Sequence, residues 1–310
     1  MKAKNINDLL GKNITREEFV NIESVSIVDG IGNIPPHSFS CHPKLHSVTI
    51  PDSVKYIYSE AFRCTNLEMI RIPNNVTYIG RDAFSQCQNL HSVIIGKGVK
   101  EISDRAFSNC RNISSIVFLG NFQYYYKTVF NHCLKLESII VEDDENYDSR
   151  DKCNAIIETK SNTLVWGCSS TQIPNSVSRI GEGAFMRNSL LKSILIPGNV
   201  KTLESGAFAG CNKLTSIIIE EGLTDVGDLS FYGCKIKSIS LPNGVKSLGN
   251  NAFAWCPNLT TVYLPNSVDS IGEHAFFECR KLSSIYVPKG TIETFKRKFI
   301  SWYHLYLKEL

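Results

Sequence analysis

Nothing in the 310 residues approaches the run of about 18 apolar side chains that a membrane-spanning helix needs, and the longest aliphatic runs are triplets such as Ile217-Ile218-Ile219. Charge of one sign is missing as well. The net charge is +3 and the charged residues are scattered, whereas a nucleic-acid partner calls for a concentrated basic face. There is no Cys-x-x-Cys pair, no Gly-rich phosphate loop, no Gly-x-Ser-x-Gly elbow and no positioned Ser/His/Asp set. His42 and His46 are spaced as metal ligands on a helix, but Pro43 keeps them off one. Near the start, only Leu9-Leu10 stands where a signal peptide needs a longer apolar core. The chain is therefore expected to be cytoplasmic, or a cell-surface or secreted segment whose export signal was removed. No catalytic residue, metal site or cofactor site is expected.

What is abundant is a repeat. Phenylalanines fall at Phe39, Phe62, Phe84, Phe107 and Phe130, and again at Phe185, Phe208, Phe231, Phe253 and Phe276, spaced 22 or 23 residues apart except for one jump of 55. Alanine precedes seven of them, and Ser38, Val129 and Ser230 precede the rest. Two or three residues later comes Cys41, Cys64, Cys87, Cys110, Cys133, Cys211, Cys234, Cys256 or Cys279, with Asn188 in the remaining slot. An apolar triplet follows, such as Leu67, Ile70 and Ile72, and then often proline.

The spacing dictates the local structure. Ile70 and Ile72 alternate as one face of a short strand, and Pro73 ends it. Val76 and Ile79 return to the core, Gly80 allows a bend, and Ala83-Phe84 carries the ring inside on a helical or 3-10 turn. A unit this short cannot bury its own apolar face, so the units must stack, giving a solenoid with one parallel sheet. The expected organisation is a cap over 1–31, one continuous solenoid over 32–290 and a C-terminal capping helix over 291–310. In that helix Ile292, Phe295, Phe299, Trp302 or Tyr303, and Tyr306 recur at helical spacing.

The segment Ile72-Pro73-x-x-Val76-x-x-Ile79-Gly80-x-x-Ala83-Phe84-x-x-Cys87 resembles the BspA-like leucine-rich repeat family, from Ile34 to about Gly290. The resemblance implies an α/β solenoid shaped as a right-handed leucine-rich-repeat horseshoe, its parallel sheet on the concave face. It also implies a protein-binding role, since several similar proteins are surface adhesins for host matrix proteins.

Between Phe130 and Phe185, Asn154 to Trp166 reads as two strands around Lys160-Ser161-Asn162, a β-hairpin insert over about 142–170 serving as a structural spacer. The acidic run Glu142 to Glu145 fails the calcium-loop pattern, because Ser149 and Ala155 stand where Gly and the bidentate Glu belong. One cysteine per repeat places neighbouring thiols parallel, which is poor disulfide geometry, so buried free thiols are expected. Cys153 and Cys168, flanking the hairpin, are the one pair for which a disulfide stays open.

Partner-binding candidates are residues the fold does not need. One outward column of the strands is a small polar ladder, Ser47, Met69, Ser92, Ser115, Ser138, Ser193, Ser216, Ser238, Thr261 and Ser284. The second column carries Arg71, Ile94, Val117, Ile140, Leu195, Ile218, Tyr263 and Tyr286, an apolar stripe beside two tyrosines. Its bland explanation is that β-branched residues suit strands. Tyr124 and Tyr126 are left over from the core pattern and form a second candidate. The expected function is a monomeric, non-catalytic module that binds a host protein or glycan through the concave face. The alternative is an intracellular or structural scaffold.

Overall fold

In the segment Met69-Ile70-Arg71-Ile72, exposed and buried side chains alternate, so the four residues form a strand with Ile70 and Ile72 inside. This is a computed structural model, and it describes residues 5–120, 124–125, 129–299 and 301–310. The chain forms two compact units, Met1–Asp148 and Ser149–Leu310.

In the first unit, strands Met69–Ile72, Ser92–Ile95, Ser115–Phe118 and Ser138–Val141 pair in parallel, one per repeat and without slip. A second parallel ladder, which the one-sheet expectation lacked, joins the two-residue strands Asn33–Ile34, Tyr56–Ile57, Tyr78–Ile79, Glu101–Ile102 and Tyr124–Tyr125. It arises because the return leg, Val76 to Ile79, is itself extended and hydrogen-bonded to its neighbours. Between the ladders stand the phenylalanines. Phe39, Phe62, Phe84, Phe107 and Phe130 stack in one column with centroids 5.0–5.2 Å apart and planes within 8° of parallel. Such stacked pairs add about 0.5–1.5 kcal/mol each beyond the area they bury. Helix Arg16–Val20 opens on a complete capping box, Thr15 with Glu18, and its Phe19 ring closes the column 6.4 Å from Phe39.

The turn around each phenylalanine is not helical. Residues at Phe −2 and Phe +2, for example Glu60, Asp82, Arg105, Cys64, Gln86 and Asn109, have φ between 54° and 62°. Their amides and that of the phenylalanine donate to the next repeat: Glu60 N to Arg81 O at 3.0 Å, Phe62 N to Ala83 O at 2.8 Å, Cys64 N to Ser85 O at 2.9 Å. The intervening amides close tight turns within the repeat, as Ala61 N to Tyr58 O at 3.3 Å. Left-handed backbone costs a non-glycine residue about 1 kcal/mol. Each of these turns offsets that cost by satisfying its polar backbone, half inside the repeat and half in the next. Gly80 is also not where the bend lies. Its φ is ordinary, but a Cβ there would sit 2.6 Å from Ser59 N, so the glycine permits close approach of the preceding repeat.

The second unit repeats this plan. Phe185, Phe208, Phe231, Phe253 and Phe276 stack at 4.9–5.5 Å. Strands Ala155–Glu158 and Thr163–Gly167 form an antiparallel hairpin. Its second strand then pairs in parallel with Arg179–Ile180, as the first rung of this unit's short-strand ladder. A Cβ on Gly167 would meet the Phe185 ring at 2.2 Å, so the hairpin packs against the end of this unit's phenylalanine column and caps it. At the other end helix Ile292–Lys298 is followed by a 3-10 turn, Ser301–Tyr306, and by a strand, Leu307–Glu309, that pairs with Ser284–Val287. The expected single helix thus stops near Lys298, where Phe299 turns extended. Phe299 and Tyr303 lie 6.2 and 6.0 Å from the last ring, Phe276.

Candidate functional site

The four-residue strands of the repeats present their second and fourth side chains inward and, apart from Ser284, their first and third outward. Arg71, Ile94, Val117 and Ile140 are register partners in one sheet, so they form an unbroken row. Arg71 is exposed, Ile94 and Val117 are half-buried, and Ile140 is exposed. In the second unit Leu195 and Ile218 are partners in a two-stranded sheet and are the most open of the aliphatic candidates, 48% and 61% exposed. Tyr263 and Tyr286 are partners in a further sheet, their rings stacked at 5.1 Å. The aliphatic stripe is divided between the two units, Ile94, Val117 and Ile140 in the first and Leu195 and Ile218 in the second. Within the second unit, the sheet of Leu195 and Ile218 ends before Ser238–Ser240 begins the next. That break falls where Cys234 and Ile236 are separated by one residue instead of two.

The polar column flanking the row is outward except at its end. Ser284 is buried, because the strand Leu307–Glu309 extends the sheet and Lys308 Nζ donates to Ser284 Oγ at 2.7 Å. Of the secondary aromatic candidates, Tyr124 lies in a two-residue strand paired with Glu101, and Tyr126 lies outside the described residues.

Two surfaces escaped the sequence reading. In the first unit Tyr56, Tyr58 and Tyr78 gather on the short-strand ladder, with centroids 6.1 and 6.4 Å apart. In the second, the outer rim of the phenylalanine turns carries exposed Met186, Tyr232, Trp255 and Phe277, and Trp255 meets Phe277 edge-on at 6.3 Å. The signal for the rim is the residue type one or two places after each Phe, at positions outside the core pattern.

The cysteine column resolves into two sets. Cys87, Cys110, Cys133, Cys211, Cys234, Cys256 and Cys279 stand three residues after their phenylalanine, and each thiol donates to the carbonyl of the phenylalanine one repeat earlier. Cys110 reaches Phe84 O and Cys211 reaches Phe185 O, both at 3.0 Å. The slot thus holds an inter-repeat donor rather than a mere filler. Burial pushes the Cys211 thiol up to about 12, so no reactive thiolate forms there near neutral pH. Cys41 and Cys64 stand only two residues after theirs, and the slot is filled by His42 and Thr65, both buried. Cys41 is consequently exposed and Cys64 half-buried, departing from the expectation that all column thiols are inside. Cys153 and Cys168 are both buried, and the Cys168 thiol donates to Asn154 O at 3.3 Å.

Among the described residues no three His, Cys, Asp or Glu side chains converge as metal ligands, and no helix is long and apolar enough to cross a membrane. The BspA type leucine-rich repeat region matches residues 12–148, 163–221 and 178–304, in six copies. The chain belongs to this family. A leucine-rich cell surface protein from Faecalibacterium prausnitzii is 30% identical to it, with 90% of this chain and 76% of that one covered and a TM-score of 0.64. The pneumococcal vaccine antigen PcpA shares the fold at 23% identity, covering 86% of this chain and 68% of that one, TM-score 0.64. A leucine-rich repeat protein of Bacteroides ovatus does so at 22% identity, covering 93% and 84%, TM-score 0.56. No curated protein matches the chain.

Proposed function

We propose that this BspA-type repeat protein is a non-catalytic binding module of the cell surface, monomeric, engaging a host protein or glycan through the outward row of its long strands. The observation that carries the reading is the adjacent pair Leu195 and Ile218, which lie exposed on a strand face whose opposite side is core. Exposed apolar groups of this kind, continued by the stacked pair Tyr263 and Tyr286 on a neighbouring sheet, suit a contact surface more than open water. The 30% identity to a cell surface protein supports the location. The test is binding to a panel of immobilised matrix proteins and glycans. Ile218→Asp is expected to abolish the wild-type signal while leaving the melting temperature unchanged, and full binding by that variant would remove this face from consideration.

A second reading, an internal scaffold, is favoured by the thiols, because unlinked cysteine in repeat after repeat is the form that a reducing compartment maintains. Digestion of intact cells with an impermeant protease separates the two readings. Loss of the protein places it outside, and survival until lysis supports the scaffold.

A further inference from the structure

The exceptions in the cysteine column have a chemistry that the other thiols lack. Cys41 and Cys64 occupy equivalent positions in adjacent repeats, both at Phe +2 and both with φ of 57°. The backbone holds them in register, with Cys41 N donating to Arg63 O at 2.7 Å and Cys64 N donating to Ser85 O at 2.9 Å. The neighbouring rings Phe39 and Phe62 set the rise between these repeats at 5.2 Å, inside the range of about 4.4–6.8 Å that disulfide-linked Cα atoms span. Unlike Cys87 or Cys110, whose thiols are buried against a phenylalanine carbonyl, Cys41 is exposed and Cys64 half-buried. Cys64 Sγ is held by the Gln86 side chain, its Oε1 at 3.3 Å. Cys41 Sγ accepts from the hydroxyl of Ser40 at 3.9 Å and also neighbours the Cys64 side chain.

We infer that Cys41 and Cys64 form a two-thiol modification site, closing to a disulfide by exchange with a low-molecular-weight disulfide and reopening in a thiol pool. The Cys41 thiolate attacks one sulfur of the small disulfide, forming a mixed disulfide and releasing one small thiolate, which takes up a proton. The Cys64 thiolate then attacks Cys41 Sγ, forming the intramolecular S–S bond and releasing the second thiolate, which takes up the other proton. Two S–H bonds are lost from the protein, and the two electrons end on the small disulfide, now two thiols. Cys41 enters first because it is the more exposed. The Cys64 thiol, pushed up by burial and by the neighbouring Cys41, is the resolving group. Parallel side chains must rotate toward each other to join, which makes the bond readily reducible and suits a reversible modification.

The test is to equilibrate the folded full-length chain with oxidised and reduced glutathione and to read intact mass and cysteine-linked peptides. The wild type is expected to lose two hydrogens and to yield one cross-linked pair, Cys41 with Cys64. Cys64→Ser is expected to trap one glutathione at Cys41, and Cys41→Ser to stay unmodified, each with an unchanged melting curve. A wild type that retains glutathione at Cys41 as stably as Cys64→Ser would overturn the inference. So would a wild type whose eleven cysteines all remain thiols, or one that links a different pair.

Discussion

The two units are built on the same kind of core and differ in what they show to solvent at the phenylalanine turns. In the first, the rim is polar: Glu60 and Arg63 pair at 2.8 Å, and Asp82 accepts from Arg105 at 3.1 Å. In the second, the same rim carries Met186, Tyr232, Trp255 and Phe277. The spine beneath is nearly indistinguishable, with rings stacked at about 5 Å in both. Backbone-to-backbone bonds between repeats, parallel ladders and a ring column specify the solenoid, and they leave the rim and the outward strand columns free to diverge. The slot residues follow the same logic. Each slot cysteine donates to the carbonyl of the spine phenylalanine one repeat earlier, whereas Thr65 in the same slot donates to Phe62 O of its own repeat. At the head of the first unit His42 instead contacts Phe19 O, and at the head of the second Asn188 accepts from the amides of Leu190 and Leu191.

If the spine is common property, cutting it should cost the same on either side. Phe84→Ala and Phe208→Ala each remove a ring stacked on both faces, and each is expected to lose about 3–5 kcal/mol in denaturant titrations of the full chain. A large disparity would mean that the two spines are not equivalent.

The thiol ladder gives a smaller, pH-dependent difference. The folded value of Cys211 lies at about 12, above the ordinary thiol value of about 8.5. Its contribution to stability is therefore fully present below about pH 8.5 and is lost as pH rises toward the folded value, at about 1.4 kcal/mol per pH unit. Cys211→Ala is expected to flatten the alkaline fall by that one thiol's share, measured as unfolding free energy at successive pH values. A control at the non-thiol slot, Asn188→Ala, should leave the slope alone.

The smallest effect belongs to the rim. Trp255→Ser and Phe277→Ser each remove a partly covered ring and the edge-on contact between the two, and are expected to cost about 1 kcal/mol. A larger loss would show that the aromatic rim braces the second unit and is not free surface.

The repeat, the ring column and the outward columns were legible because period and side-chain type alone determine them. What stayed hidden depended on relations between repeats. Gly80 reads as a bend residue until the backbone of Ser59 is seen against it, and the second ladder is invisible because two-residue strands carry no alternation to detect. Cys41 and Cys64 read as members of the same column although their spacing from phenylalanine is one residue short. That single step moves a side chain from the slot to the surface. The terminal strand Leu307–Glu309 reads as helix from the sequence because Trp302, Tyr303 and Tyr306 continue a helical period that the chain abandons at Phe299.

Which side of each long strand is free decides where a partner can dock. Ile194 and Leu195 are sequence neighbours on opposite faces, 7% and 48% exposed. Thermal melting of Ile194→Asp beside Leu195→Asp tests that directly. The expected result is a collapse of the first variant, which buries a carboxylate in the core, and a wild-type melting temperature for the second. Equal destabilisation of both would show that Leu195 is packed, and would contradict the assignment of the outward row as a binding surface.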